Sequence, residues 1–340
     1  MKIKIFNPRF ARTRTNLICA KSRAEMRKIM KKRVSLLAAA VTAAAVLLFA
    51  AAALLLPGRR QDAMGHTPDL SREYLVTQYA DASGAQGTFY TIENDSSFLI
   101  IDGGWAENEQ AVREVIGAHG NVVDAWIISH PHRDHAGAFN AVFADPGEIE
   151  IKAVYDNGFD YDFIESVGEP YDDITVMETY HALTADDPRV THLARGQVTD
   201  ICGLTFRVLN AYDDTVLAAV GDEKDYQNNA SLLLRVESAH SSMLFCSDIK
   251  YDMNDTLLAA WGSAGADLLS CDYVQTGHHG NWSFSDEFYD ATGASVFFFD
   301  APSGITENAD FPASRLASYL SEKNGTVLDF RTAPNRVTLK

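Results

Sequence analysis

The sequence predicts an α/β protein, with sheets covered by helices, on three observations. Short apolar runs rich in Val, Ile, Leu and Phe are bounded by Gly, Asp or His, as strands are. Segments with apolar residues every three to four positions fall between or beside those runs, as helices do. Strand and helix signals therefore alternate along the chain, which is the pattern of sheets packed against helices.

In chain order, 87–92 and 98–101 read as strands, 108–118 as a helix and 125–128 as a strand. A helical period follows over 174–183, then strands over 231–236 and 242–246 and a helix over 256–261. Strands at 273–275 and 295–299 and a helix at 313–323 complete the series. There is no internal repeat and no low-complexity tract, so 73–340 reads as a single domain. With 46% hydrophobic and 22% charged residues among 340, the composition is that of an ordinary globular chain.

Charge and hydropathy set the N-terminal part aside. Residues 1–33 hold twelve Lys or Arg against the single acid Glu25, a net of +11, which leaves −28 on the other 307 residues of a chain whose total is −17. Residues 34–56 are a 23-residue run of Ala, Val, Leu and Phe interrupted only by Ser35 and Thr42, long enough to span a hydrocarbon core as a helix. The basic residues before the run outnumber Arg59 and Arg60 after it. The expectation is a single-pass signal anchor at the cell membrane, with 1–33 a basic cytoplasmic segment, 57–72 a linker and 73–340 extracytoplasmic. Met30 followed by Lys31-Lys32-Arg33 also resembles the start of an export signal. Cys202, Cys246 and Cys271 cannot all pair with one another and are read as small core residues.

The chemistry gathers at strand ends. Asp102-Gly103-Gly104 ends one strand, His130 follows a second, Asp248 a third and Gly277-His278-His279-Gly280 a fourth. Within Ser129–Gly137, the spacing His130-x-His132-x-Asp134-His135 packs four possible metal ligands into six residues. Imidazoles and carboxylates in that density suit Zn²⁺ or a neighbouring divalent metal. His130 and His132 can face one ion, Asp134 and His135 a second, with Asp248 suited to bridge them and one imidazole of the His278-His279 pair completing the second site. Two ions roughly 3.5 to 4 Å apart make a hydrolytic centre. No phosphate-cradling Gly-rich loop with Lys and no Gly-x-Ser-x-Gly elbow is present, which leaves a nucleotide-driven or serine mechanism without support.

On these residues the chain resembles the metallo-β-lactamase-fold hydrolases, whose signature is His-x-His-x-Asp-His, and within them it is most similar to the hydrolase domain of ComEC-type competence proteins. Gly84–Thr88, Ile101–Gly104, Asn228–Leu232, Phe245–Asp248 and Gly277–Gly280 stand where that family has its Gly-Gln-Gly-Asp, Ile-Asp-Gly-Gly, Asn-Asn-x-Ser-Leu, Leu-Thr-Gly-Asp and Gly-His-His-Gly motifs. The resemblance implies a four-layer αββα sandwich with two divalent ions at one edge of the sheets. It implies ligation by His130, His132, Asp134, His135, Asp248 and, of the paired histidines, His278. Asp102 would hold a ligand imidazole in its tautomer. Asp134 and Asp248 are the carboxylates expected to orient the attacking water, and Asn229, Ser231, His279 and Trp282 are expected near the substrate. Zn²⁺ is the expected metal and Mn²⁺ its alternative, because the Asn228-Asn229 pair stands near where many relatives supply a further His. His181 and His192 are not expected to supply it. Thr88 and Asn281 replace the family's Asp and Ser, so altered substrate contacts are expected there.

The function expected from the sequence is a membrane-anchored, extracytoplasmic, metal-dependent hydrolase, a phosphodiesterase in which a metal-bridging hydroxide attacks phosphorus. Its substrate would be a small-molecule or cell-envelope phosphodiester. DNA cleavage is the alternative that the ComEC likeness suggests, but a body carrying −28 disfavours strong binding of nucleic acid. A metal-stabilised binding domain without catalysis is the alternative from another class.

Overall fold

A computed structural model describes residues 72–168, 172, 174–220 and 225–340. The basic segment 1–33, the apolar run 34–56 and the linker up to residue 71 lie outside the described residues, as do residues 221–224. Among the described residues no helix is long and apolar enough to cross a membrane.

Two seven-stranded sheets form the centre. The first runs Asn335–Leu339, Tyr74–Gln78, Phe89–Asn94, Ser97–Asp102, Ala125–Ile127, Val154–Asp156 and Val190–His192 from edge to edge. The second runs Thr326–Leu328, Val296–Phe298, Tyr273–Gln275, Ser242–Phe245, Leu233–Glu237, Leu204–Asn210 and Val198–Ile201. Val122–Val123 and Glu150–Ile151 pair separately.

The period-2 alternation of strand side chains decides the layers. Leu99 and Ile101 point between the sheets, where they join Val76, Ile92 and Ile127 and meet Phe206, Leu234 and Phe245 of the other sheet. Phe98 and Ile100, one position out of phase, pack outward with Val112, Ile116 and Phe139 of the helices Glu109–Ala118 and Arg133–Ala144. On the far side Leu233 and Leu244 pack outward with Leu257, Phe288 and Leu316 of three further helices. The order is helix, sheet, sheet, helix. A one-residue slip in any of these strands would exchange its two apolar faces, so burial on both sides fixes the register.

Each sheet is antiparallel on one side and parallel on the other. Ser97–Asp102, Ala125–Ile127, Val154–Asp156 and Val190–His192 are mutually parallel, as are Ser242–Phe245, Tyr273–Gln275, Val296–Phe298 and Thr326–Leu328. Their carboxyl ends, where ligands bind in open α/β sheets, carry Asp102, Ser129 to His132, Asp248, His278-His279 and Asp300.

Candidate metal centre

The segment after Ala125–Ile127 turns at once into the helix Arg133–Ala144, with His132 extended at its N-terminal boundary. Asp134 and His135 therefore lie in the first helical turn, where a carboxylate is favoured by the helix dipole. This helix approaches very close to the neighbouring turn: a Cβ on Gly137 would lie 2.4 Å from the Ala106 amide nitrogen. Only glycine fits there, and the close approach fixes the first turn relative to the first sheet.

Two groups of ligand atoms result, with all atoms of each group within 4.8 Å of one another: His130, His132 and Asp248, and Asp134, His135, Asp248 and His279. Asp248 is common to both. His130 Nε2 and His132 Nδ1 are 2.9 Å apart, His135 Nε2 is 3.1 Å from Asp248 Oδ1, and His279 Nε2 is 3.2 Å from both Asp134 Oδ2 and Asp248 Oδ2. Yet His135 Nε2, His279 Nε2 and Asp248 Oδ1 are buried without a well-formed hydrogen bond among the described residues. Buried polar atoms are almost always satisfied. Atoms that converge this closely could hold a common cation, and nitrogen with carboxylate oxygen suits Zn²⁺ or its neighbours.

The opposite face of each imidazole is held. His135 Nδ1 lies 2.8 Å from Asp102 Oδ2, and Asp102 also accepts from the Ser129 amide at 2.8 Å and the Ser129 hydroxyl at 2.7 Å. His132 Nε2 lies 2.9 Å from Asp172 Oδ1. His279 Nδ1 lies 3.1 Å from the Asp300 carbonyl. Such contacts set the tautomer and the direction of the ligand nitrogen. Asp102→Ala is therefore expected to weaken metal affinity by about 10- to 100-fold while leaving the chain folded, read by titration against a competing chelator.

Burial opposes charge on all of these groups, and their mutual contacts decide the outcome. Burial pushes Asp248 up, but the facing His135 and His279 hold it well below the usual carboxylate range. Burial lowers His279, but Asp248 and then Asp134 carry it up to about 10. Burial lowers His130, and the neighbouring His135 and His132 lower it further, which leaves a neutral imidazole with a lone pair to offer.

Two expectations change. His279, not His278, joins the cluster, because the Gly277–Gly280 turn holds both residues in left-handed backbone (φ 47° and 54°) and sends their side chains different ways. His278 Nδ1 instead donates to the Asn281 carbonyl at 2.6 Å, and its ring faces the pocket. Asn229 and Ser231 do not line that pocket. Asn229 is spent internally, donating to the Asp225 carbonyl and Asp252 Oδ2 and accepting from the Lys250 amide, and Ser231 is fully buried. The short helix Tyr226–Asn229 turns Asn228 to the pocket in its place. Trp282 does line the pocket and is 53% exposed.

His181 stacks on Tyr161 and His192 pairs with Asp156 Oδ1 at 2.5 Å, so neither lies in the cluster. Thr88 and Asn281 are buried: Thr88 bonds Asp300 Oδ2 and the Asp134 carbonyl, and Asn281 Oδ1 accepts from the Ala313 amide. Both are bonded within the scaffold, and neither lines the pocket. His119 is half-buried and stacked on Phe98. Cys202, Cys246 and Cys271 are free thiols.

The cluster opens into a pocket of about 450 Å³. On one wall Arg133 lies over the Trp105 ring, its guanidinium carbon 4.8 Å from the ring centre. On another, Lys250 pairs with Asp225 at 2.6 Å beside Tyr251, which is 50% exposed. The sequence did not single out Asp172, Lys250, Trp105 or Arg133. Only Lys250, two positions past the expected bridging carboxylate, carried a readable signal.

The domain is thus a four-layer sandwich with a clustered His and Asp site at the carboxyl ends of its parallel strands. Residues 82–189 match the model of the Metallo-beta-lactamase superfamily. The comparison with curated proteins gives no match. Among solved structures, the chain is similar to the metallo-beta-lactamase fold protein YhfI from Bacillus subtilis, at 12% identity and TM-score 0.45, over 78% of this chain and 99% of that one. It is similar to Igni18, a metallo hydrolase from Ignicoccus hospitalis KIN4/I, at 11% identity and TM-score 0.43, over 79% and 99%. It is also similar to CmlA, a diiron beta-hydroxylase from Streptomyces venezuelae, at 14% identity and TM-score 0.48, over 79% of this chain but only 55% of CmlA.

Proposed function

We propose that this protein is a metal-dependent hydrolase of small phosphodiesters, tethered to the membrane by residues 34–56 with its catalytic domain outside the cytoplasm. The observation that carries the catalytic reading is Asp248, which offers oxygens to two adjacent groups of ligand atoms at the floor of a pocket flanked by Arg133 and Lys250. His130, His132 and Asp248 would hold one cation and Asp134, His135, Asp248 and His279 the other. Two divalent cations there would polarise a phosphoryl group, make an attacking water more acidic and neutralise charge on the leaving oxygen.

The chain's own residues supply the rest. Arg133 and Lys250 offer positive charge to the non-bridging phosphate oxygens. His278, with Nδ1–H donated to the Asn281 carbonyl, keeps a lone pair on Nε2 to take the proton of the attacking water as the P–O bond to the leaving alcohol breaks. Trp105, Tyr251 and Trp282 shield the site from bulk water. The acidic body supports a short diester in preference to a long polyanion such as DNA. The charge bias about residues 34–56 supports the tether and its orientation.

The full chain loaded with Zn²⁺ or Mn²⁺ is expected to cleave bis(4-nitrophenyl) phosphate, to stop on chelation and to recover when metal is restored. Asp134→Ala and His135→Ala should each lose about 100-fold or more. Equal rates in wild type and both variants would sink the reading.

A further inference from the structure

The wall of the pocket that faces Lys250 contains two acceptors with no donor. Asp225 is almost fully buried; its Oδ2 takes the Lys250 ammonium at 2.6 Å and the Asn228 amide at 3.2 Å, while Oδ1 has no hydrogen-bond partner among the described residues. Asn228 is also buried, and its Oδ1 is equally without one. Both residues line the pocket that opens from the metal cluster. A buried acceptor left unpaired costs free energy, and such exceptions in a native protein call for an explanation.

A ligand's hydrogen-bond donor would satisfy both oxygens, and the local charge selects its type. Lys250 already neutralises Asp225, so a second ammonium beside it would meet like-charge repulsion. A neutral hydroxyl meets none. The rest of the wall agrees: Asn229 pins the Lys250 backbone through its amide, which keeps the Lys250–Asp225 pair in place instead of leaving it to swing into the pocket.

We infer that Asp225 and Asn228 form a subsite for a hydroxyl group on the alcohol portion of the substrate, so that the favoured substrates are phosphodiesters of polyols. This rests on the phosphodiesterase reading, which it narrows. The hydroxyl donates to Asp225 Oδ1 or Asn228 Oδ1 while the phosphate lies between Lys250, Arg133 and the cluster. A site built around a substrate hydroxyl discriminates strongly against an analogue that lacks it, because its own polar atoms are then left unpaired.

The test compares three nitrophenyl phosphodiesters whose second alcohol is glycerol, propanol or choline, with the metal-loaded full chain. Binding of glycerol 1-phosphate and propyl phosphate is measured by calorimetry alongside. The glyceryl diester is expected to be favoured over the propyl diester by at least about tenfold in kcat/KM, mainly through KM, with glycerol 1-phosphate binding correspondingly tighter. In Asn228→Ala both ratios should fall toward one at unchanged metal content, which separates loss of the subsite from loss of the centre. Equal kcat/KM for the glyceryl and propyl diesters overturns the subsite while leaving the hydrolase reading intact. Preference for the choline diester overturns it in favour of a cation site. Failure to cleave any of the three, with tighter binding of glycerol 1-phosphate retained, would remove the hydrolase reading and keep the subsite.

Discussion

Asp248→Asn is expected to strip both cations from the protein together and to lower phosphodiester turnover by at least about 10³-fold, beyond the 10- to 100-fold expected of residues that only support a ligand. The reason is topological. The other ligands belong to one group each, whereas Asp248 belongs to both. His130→Ala, by contrast, should leave the four-residue group of Asp134, His135, Asp248 and His279 able to retain about one ion per chain. Metal content measured on the purified variants separates the cases: two ions lost for Asp248→Asn and one for His130→Ala. Equal losses in both would show that the two groups do not share this carboxylate.

The largest effect on stability should come from Asp300→Ala. Its carboxylate is fully buried and accepts from Gln78 Nε2 at 2.6 Å, Tyr90 Oη at 2.5 Å, Thr88 Oγ1 at 3.0 Å and Gln275 Nε2 at 3.0 Å. Gln78, Thr88 and Tyr90 belong to the first half of the fold and Gln275 to the second sheet, so one side chain ties the two sheets together. Removing it orphans the Tyr90 and Thr88 hydroxyls at about 1–3 kcal/mol each and leaves Gln78 and Gln275 with their carbonyl acceptors alone, for a total of roughly 3–5 kcal/mol. That corresponds to a fall in Tm on the order of 10 °C, read by thermal denaturation of the metal-free protein. Asp300→Asn keeps the volume but turns an NH₂ toward donors, and should recover only part of the loss. A Tm within about 2 °C of wild type for Asp300→Ala would refute the role.

Much of this fold was legible because its strands are short apolar runs that stop at conspicuous residues. Ala125–Ile127, Tyr273–Gln275 and Val296–Phe298 fall within or on the runs read as strands, and the helix Pro312–Glu322 differs from its expected span by one residue at each end. The helix Arg133–Ala144 was missed, since its first turn is crowded with His and Asp and its interior is small and Ala-rich, so no amphipathic stripe announces it. Tyr74–Gln78 and Asn335–Leu339 were missed as well. They pair with each other across the length of the domain, and no local pattern reveals such a pairing.

The site divides in the same way. Spacing alone identified His130, His132, Asp134, His135 and Asp248, because a dense run of ligands and a carboxylate after an apolar strand are one-dimensional signals. The choice between His278 and His279 depends on two consecutive left-handed residues, which residue types do not encode. Asp172 reaches His132 from forty positions away, and Asp225 and Asn228 face the pocket only because a single helical turn rotates them there.

The placement of ligands on both halves of the chain has a consequence for the protein's life in a cell. Asp134 and His135 follow a strand of the first sheet, Asp248 and His279 follow strands of the second, so a cation held among them joins segments more than a hundred residues apart. Whatever binds only the folded chain adds to its stability by mass action. Metal supply would thus govern how much of the protein survives proteolysis as well as how much is active, and scarcity would register first as a fall in abundance.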